Sequence, residues 1–120
     1  MSDWPPFVGD AARLGDVIGP QAMLALCEGW GGTRLYVPRD PAPESEICRA
    51  IGADALARLA ARSGAEYVKV PRAVEWRVLV YRLKRMSYAN IARACGCTEG
   101  TVWRILNRHE MTVFQLSLPL

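Results

Sequence analysis

The 120-residue sequence predicts a mainly α-helical fold with short β-strands, an N-terminal helix-strand dimerisation domain followed by a C-terminal helix-turn-helix. Three observations carry this. Residues 87–107, SYANIARACGCTEGTVWRILN, have the spacing of two short helices joined by a tight turn. Residues 18–40 and 51–73 repeat one another at an offset of 33. The charge is uneven: residues 1–73 hold eight Lys/Arg against nine Asp/Glu, and residues 74–120 hold seven against three, within a net charge of +3.

In chain order, residues 1–9 carry two prolines and read as an irregular arm anchored by Trp4 and Phe7. A short helix is expected from Asp10 to about Leu14. A stronger one runs from Pro20, suited to a first helical turn, to Glu28, with Ala22, Met23 and Leu26 on one buried face. Gly29, Gly31 and Gly32 are expected to stop it, and Thr33–Val37 forms a strand that ends at Pro38. The second copy follows the polar connection DPAPESE at residues 40–46. Setting Ile18 on Ile51 superimposes helix face, helix stop and strand end: Ala22 on Ala55, Met23 on Leu56, Leu26 on Leu59, Gly31 on Gly64, and Val37-Pro38-Arg39 on Val70-Pro71-Arg72. Arg58 and Arg62 are placed on a solvated helix face.

A lone short strand leaves its backbone groups without partners, so the two strands pair either within one chain or across a dimer. In a chain this short the preferred expectation is a two-fold homodimer, joined through Leu26, Leu35, Tyr36, Val37, Leu56, Leu59, Val68 and Val70 in a domain spanning residues 1–70. Residues 71–73 are then a hinge, 74–110 the helix-turn-helix, and 111–120, MTVFQLSLPL, an apolar tail that docks or frays.

Within the C-terminal half, residues 74–86 give the bracing helix. Its Arg77, Arg82, Lys84 and Arg85, with Ser87 and Tyr88 at the start of the next helix, are candidate phosphate contacts. Ala92 is the small residue at the helix crossing and Gly96 the turn residue, while Ile91, Cys95, Cys97, Val102 and Ile105 seal the angle. Ser87 and Thr98 are N-caps. Thr98, Glu99, Gly100, Thr101, Trp103, Arg104, Asn107 and Arg108 remain as a face for the major groove of double-stranded DNA. There Arg pairs with guanine, Asn with adenine, Thr with a thymine methyl, and Glu accepts from cytosine. Trp103 either joins that face or packs under the preceding helix.

Other chemistries find little support. Cys27, Cys48, Cys95 and Cys97 form no CxxC pair, and the one histidine, His109, stands apart from them, so neither a metal site nor a nucleophile is expected, and no cofactor. The glycines at 29, 31 and 32 precede a strand, the wrong order for a nucleotide loop. Trp4-Pro5-Pro6 argues against a secretory leader, no apolar run approaches the ~18 residues of a membrane span, and the unpaired cysteines suit a reducing bacterial cytoplasm.

The run Trp30-Gly31-Gly32-Thr33-Arg34-Leu35-Tyr36-Val37-Pro38, preceded by an Ile-Gly-helix and followed by SYANIARACGCTEGTVWRIL, resembles the Mor family of transcription activators of Mu-like phages over roughly residues 10–108. The resemblance implies a homodimer that binds an imperfect dyad beside a promoter and recruits host RNA polymerase. Its linker segment would fall at Gly64–Pro71 and its DNA-reading helix at Thr98–Asn107. The sequence departs from the family's usual form at Ser63-Gly64-Ala65, where a Gly-Gly pair would sit, and in its apolar tail. A repressor or architectural protein of the same fold, or a protein-interaction module without DNA binding, are the alternatives.

Overall fold

The computed structural model describes residues 4–109, so the tail expected at 111–120 lies outside the described residues. Among the described residues the chain is mainly helical with one small sheet, and it divides into two compact units. One is Phe7–Ala73; the other joins the segment ending at Pro6 to the chain from Val74 onward.

In the first unit, a 3-10 turn at Gly9–Ala11 leads into α1 (Ala12–Ile18), α2 (Pro20–Trp30) and β1 (Arg34–Val37), and then α3 (Glu46–Ile51), α4 (Ala53–Ser63) and β2 (Glu66–Lys69). The repeat is longer than residues 18–40 and 51–73, because α3 stands to α4 as α1 stands to α2. Helix α3 lies where only a connection was expected at its start. Its signal is Ser45, whose hydroxyl accepts from the Cys48 amide at 3.2 Å. Gly19 (φ 86°, ψ 164°) and Gly52 (φ 93°, ψ 154°) break each helix pair in a backbone region that only glycine adopts without strain. Each amide still bonds four residues back, to Gly15 and Cys48, at 2.8 Å. The first helix extends to Ile18, beyond the expected Leu14, and Gly15 within it leaves room for the Phe7 ring. Helix α2 runs through Gly29 and stops at Gly31.

The two strands pair with one another, antiparallel, in the register Arg34↔Lys69, Leu35↔Val68, Tyr36↔Tyr67 and Val37↔Glu66. This corrects the expectation of pairing across a dimer: each repeat supplies the strand the other needs. The pairing continues past the strand ends through Gly32 N–H to Val70 O (2.8 Å) and, at the equivalent place in the other copy, Ala65 N–H to Val37 O (2.7 Å). Ala65 takes φ 65° where Gly32 takes 85°, so the missing second glycine is accommodated without changing the turn.

Packing is reciprocal as well, with α1 on α4 and α3 on α2, both strands lying against α4. Of the residues expected at a dimer interface, Leu26, Val37, Leu56, Leu59 and Val70 are buried in the folded chain, and Leu35 and Val68 are half-buried. The apolar surface of the five buried residues is already removed from water. Tyr36 points the other way, exposed, and meets exposed Tyr67 edge-on with ring centroids 5.1 Å apart. Arg58 is not simply solvated: its Nε and Nη2 donate to the Val17 and Ile18 carbonyls at 3.0 and 3.1 Å, satisfying the C-terminal end of α1.

The second unit contains α5 (Val74–Leu83), α6 (Tyr88–Cys95) and α7 (Glu99–Arg108), all three in mutual contact. Helix α5 ends three residues before the expected Met86. Arg85 adopts φ 66°, with Arg85 N–H bonded to Arg82 O and Met86 N–H to Tyr81 O, a left-handed C-terminal turn made without glycine.

The repeat's symmetry makes a stability prediction. A Cβ on Gly31 would stand 2.5 Å from the Cys27 carbonyl oxygen and 3.3 Å from Arg72 Cα, and one on Gly64 would stand 2.5 Å from the Ala60 oxygen and 3.3 Å from Arg39 Cα. Gly31→Ala and Gly64→Ala are each expected to cost about 1–3 kcal/mol, similar to one another, in urea unfolding.

Candidate nucleic-acid interface

The corner between α6 and α7 is set by caps and one turn. Ser87 Oγ accepts from Asn90 N–H at 3.1 Å and Thr98 Oγ1 from Thr101 N–H at 3.1 Å, so each helix begins at the expected hydroxyl. Gly96 turns left-handed (φ 67°, ψ 41°), and Cys97 N–H returns to Ala92 O at 2.9 Å. Ile91, Ala92, Cys95, Val102 and Ile105 are buried and Cys97 is half-buried. Leu106, absent from the expected seal, is fully buried too; its signal is the i, i+4 step from Val102.

With that stripe turned inward, Thr98, Glu99, Gly100, Trp103, Arg104, Asn107 and Arg108 are exposed and Thr101 is half-buried. Trp103 faces out, 52% exposed, rather than packing under α6. Arg104 Nη2 donates to Thr101 Oγ1 at 3.1 Å, and that oxygen lies 3.1 Å from Thr98 Oγ1, so a short polar chain along α7 orients the guanidinium.

Arg108 is tethered. Its Nη1 donates to Glu75 Oε2 at 3.1 Å, and His109 Nε2 lies 2.6 Å from the same oxygen, joining the end of α7 to the first turn of α5. The hydrogen bond with His109, followed by those effects of Arg108 that also favour the anion, holds the Glu75 carboxyl below its ordinary value of 4.5 against the opposing effect of partial burial.

The candidate phosphate contacts separate into two groups. Arg77 is only 8% exposed; its Nη2 donates to Ala94 O at 2.9 Å and its Nε to Tyr81 Oη at 3.2 Å, so it clips α5 to α6 and does not present a cation outward. Arg82 is half-buried: Nη1 donates to Met86 O at 2.8 Å, the guanidinium lies 4.9 Å from the ring centroid of half-buried Tyr88, and Nε is buried without a hydrogen-bond partner. Lys84 and Arg85 are exposed, as is Ser87, whose hydroxyl is engaged as the cap. Arg93, exposed on α6 and bonded to Asn90, is an outward cation that the helix-face reading passed over.

Among the described residues, no group of three or more His, Cys, Asp or Glu side chains is placed to hold a metal ion. Nor is any helix among them long and apolar enough to cross a membrane.

Residues 70–112 match the family model of a homeodomain-like domain, which spans all three helices of the second unit. The C-terminal region is thus homeodomain-like, a helix-turn-helix class typical of DNA-binding proteins. No curated protein and no solved structure matches the chain.

Because Glu75 ionises more readily folded than unfolded, its contribution to stability is present above its unfolded value and lost as pH falls through the lower folded one. Glu75→Gln should therefore reduce stability at pH 7 by up to about 1 kcal/mol. The gap from the parent should close as pH drops below about 4.5, read by thermal unfolding across pH.

Proposed function

We propose that the protein is a sequence-specific DNA-binding transcription regulator that reads the major groove with the exposed face of α7. The observation that carries this reading is the sorting of α7: Val102, Ile105 and Leu106 are buried, and Glu99, Trp103, Arg104 and Asn107 are exposed on a helix-turn-helix matched by a homeodomain-like family model. Arg104 and Asn107 are the guanine and adenine readers, and Thr98, Glu99, Gly100, Thr101 and Trp103 complete the face. Arg108, held by Glu75, lies at its far end. Lys84 and Arg85 supply backbone contacts from the α5–α6 turn, together with Arg93. Arg77 is withdrawn from that group, and Arg82 is engaged with the Met86 carbonyl and the Tyr88 ring.

The finer reading is an activator of phage or prophage genes that recruits host RNA polymerase, supported by the Mor-like segment Trp30–Pro38 and its second copy. One reading helix per chain spans few base pairs, so two chains on a dyad would gain the affinity that one lacks. In this reading the homodimer contacts come from surface outside the buried strand-helix core.

Base-reading and phosphate-contacting residues leave different signatures. Arg104→Ala should cost about 1–3 kcal/mol and relax preference at one base position, and Lys84→Ala should weaken all sequences alike and flatten the salt dependence by about one unit of log-log slope. Both are read by equilibrium binding to duplexes over a salt series. An Arg104→Ala variant with unchanged preference would remove Arg104 from the reading face.

A further inference from the structure

The DNA-binding unit is discontinuous in sequence. Trp76, in the first turns of α5, is fully buried, and a buried indole N–H without an acceptor is costly. Its Nε1 donates to the carbonyl of Pro5 at 3.2 Å, a residue 71 positions earlier. The Trp4 ring lies nearly parallel to Trp76, with centroids 6.1 Å apart and planes at 20°. Pro5 and Pro6 restrict the backbone of this arm before it docks, which lowers the entropy lost in docking it.

The same Trp4 ring reaches a cation. Lys84 Nζ stands 5.6 Å from its centroid, within the range over which an aromatic face attracts an ammonium. Lys84 is exposed and follows the last residue of α5. An unrestrained lysine there would spread its charge over many rotamers; the ring narrows that spread.

We infer that Trp4 is a positioning residue for DNA binding: the N-terminal arm docks on α5 and holds the Lys84 ammonium ready for a backbone phosphate. The arm is then a working part of a DNA-binding unit whose matched residues, 70–112, do not include it. This rests on the DNA-binding reading above. It adds a dependence on a residue that no helix-turn-helix spacing would single out.

A double-mutant cycle in the full chain tests it, using Trp4→Ala, Lys84→Ala, the double variant and Trp4→Phe, with affinity for one duplex measured over a salt series and unfolding midpoints measured alongside. Trp4→Ala should weaken binding about two- to fivefold. In the Lys84→Ala background the same change should have no effect, and Trp4→Phe, which keeps an aromatic face, should retain most of the affinity. Equal losses from Trp4→Ala in both backgrounds would show that Trp4 acts through the fold and would overturn the inference, as would unchanged affinity in Trp4→Ala. A parent protein with no salt-dependent binding to any duplex would instead remove the DNA-binding reading itself, and the inference with it.

Discussion

A four-residue strand has amides and carbonyls that must be satisfied somewhere, and the first unit depends on how that demand is met. Each repeat contributes one strand, and the two pair along Arg34–Val37 and Glu66–Lys69 within the chain. The rest of the unit follows from the pairing. The glycine stops Gly31 and Gly64 must let the backbone pass close to Arg72 and Arg39, the chain must turn left-handed at Gly32 and Ala65, and α1 and α3 must cross to the other copy's long helix. A duplicated sequence thereby makes a pseudo-two-fold arrangement from one chain. Such pairing is normally expected from two identical chains, since each copy presents the same complementary surface.

The second unit meets a different requirement, to present a polar helix face while keeping its angle to two other helices. The angle is held by apolar contacts at Ile91, Ala92, Cys95, Val102, Ile105 and Leu106, and its ends are held by polar ties. Arg77 clips α5 to the end of α6 through the Ala94 carbonyl, and Glu75 ties α5 to the end of α7 through Arg108 and His109. Both ties engage arginines that count as basic charge in the sequence. Among the described residues of the second unit, the exposed basic side chains are therefore Lys84, Arg85, Arg93 and Arg104, with Arg108 paired to Glu75.

What the sequence revealed divides along physical lines. The α6–α7 corner was legible because caps, small crossing residue, turn glycine and sealing stripe are all local, and each appears where a short-range rule puts it. The repeat was legible from its matched helix face, glycine stop and strand end. Features set by distant or unmarked contacts were not. Strand partnership was ambiguous, because the same alternation satisfies pairing within a chain or between chains. The end of α5 was misplaced since its left-handed turn falls on Arg85, where no glycine marks it. The roles of Arg58, Arg77 and Arg82 were hidden, because whether an arginine faces water or a carbonyl is decided by elements distant in sequence, such as the end of α1 for Arg58.

Reading of DNA sequence by α7 is tested by a selection from random duplex DNA with the purified full chain at near-physiological salt. If α7 reads sequence, the selection recovers a defined motif rich in contacts for an arginine and an asparagine, a G·C and an A·T pair within one half-site, bound far more tightly than random duplex. Recovery of no motif, with binding that disappears at modest salt, would mean that the basic surface alone holds DNA, and would contradict sequence reading by α7.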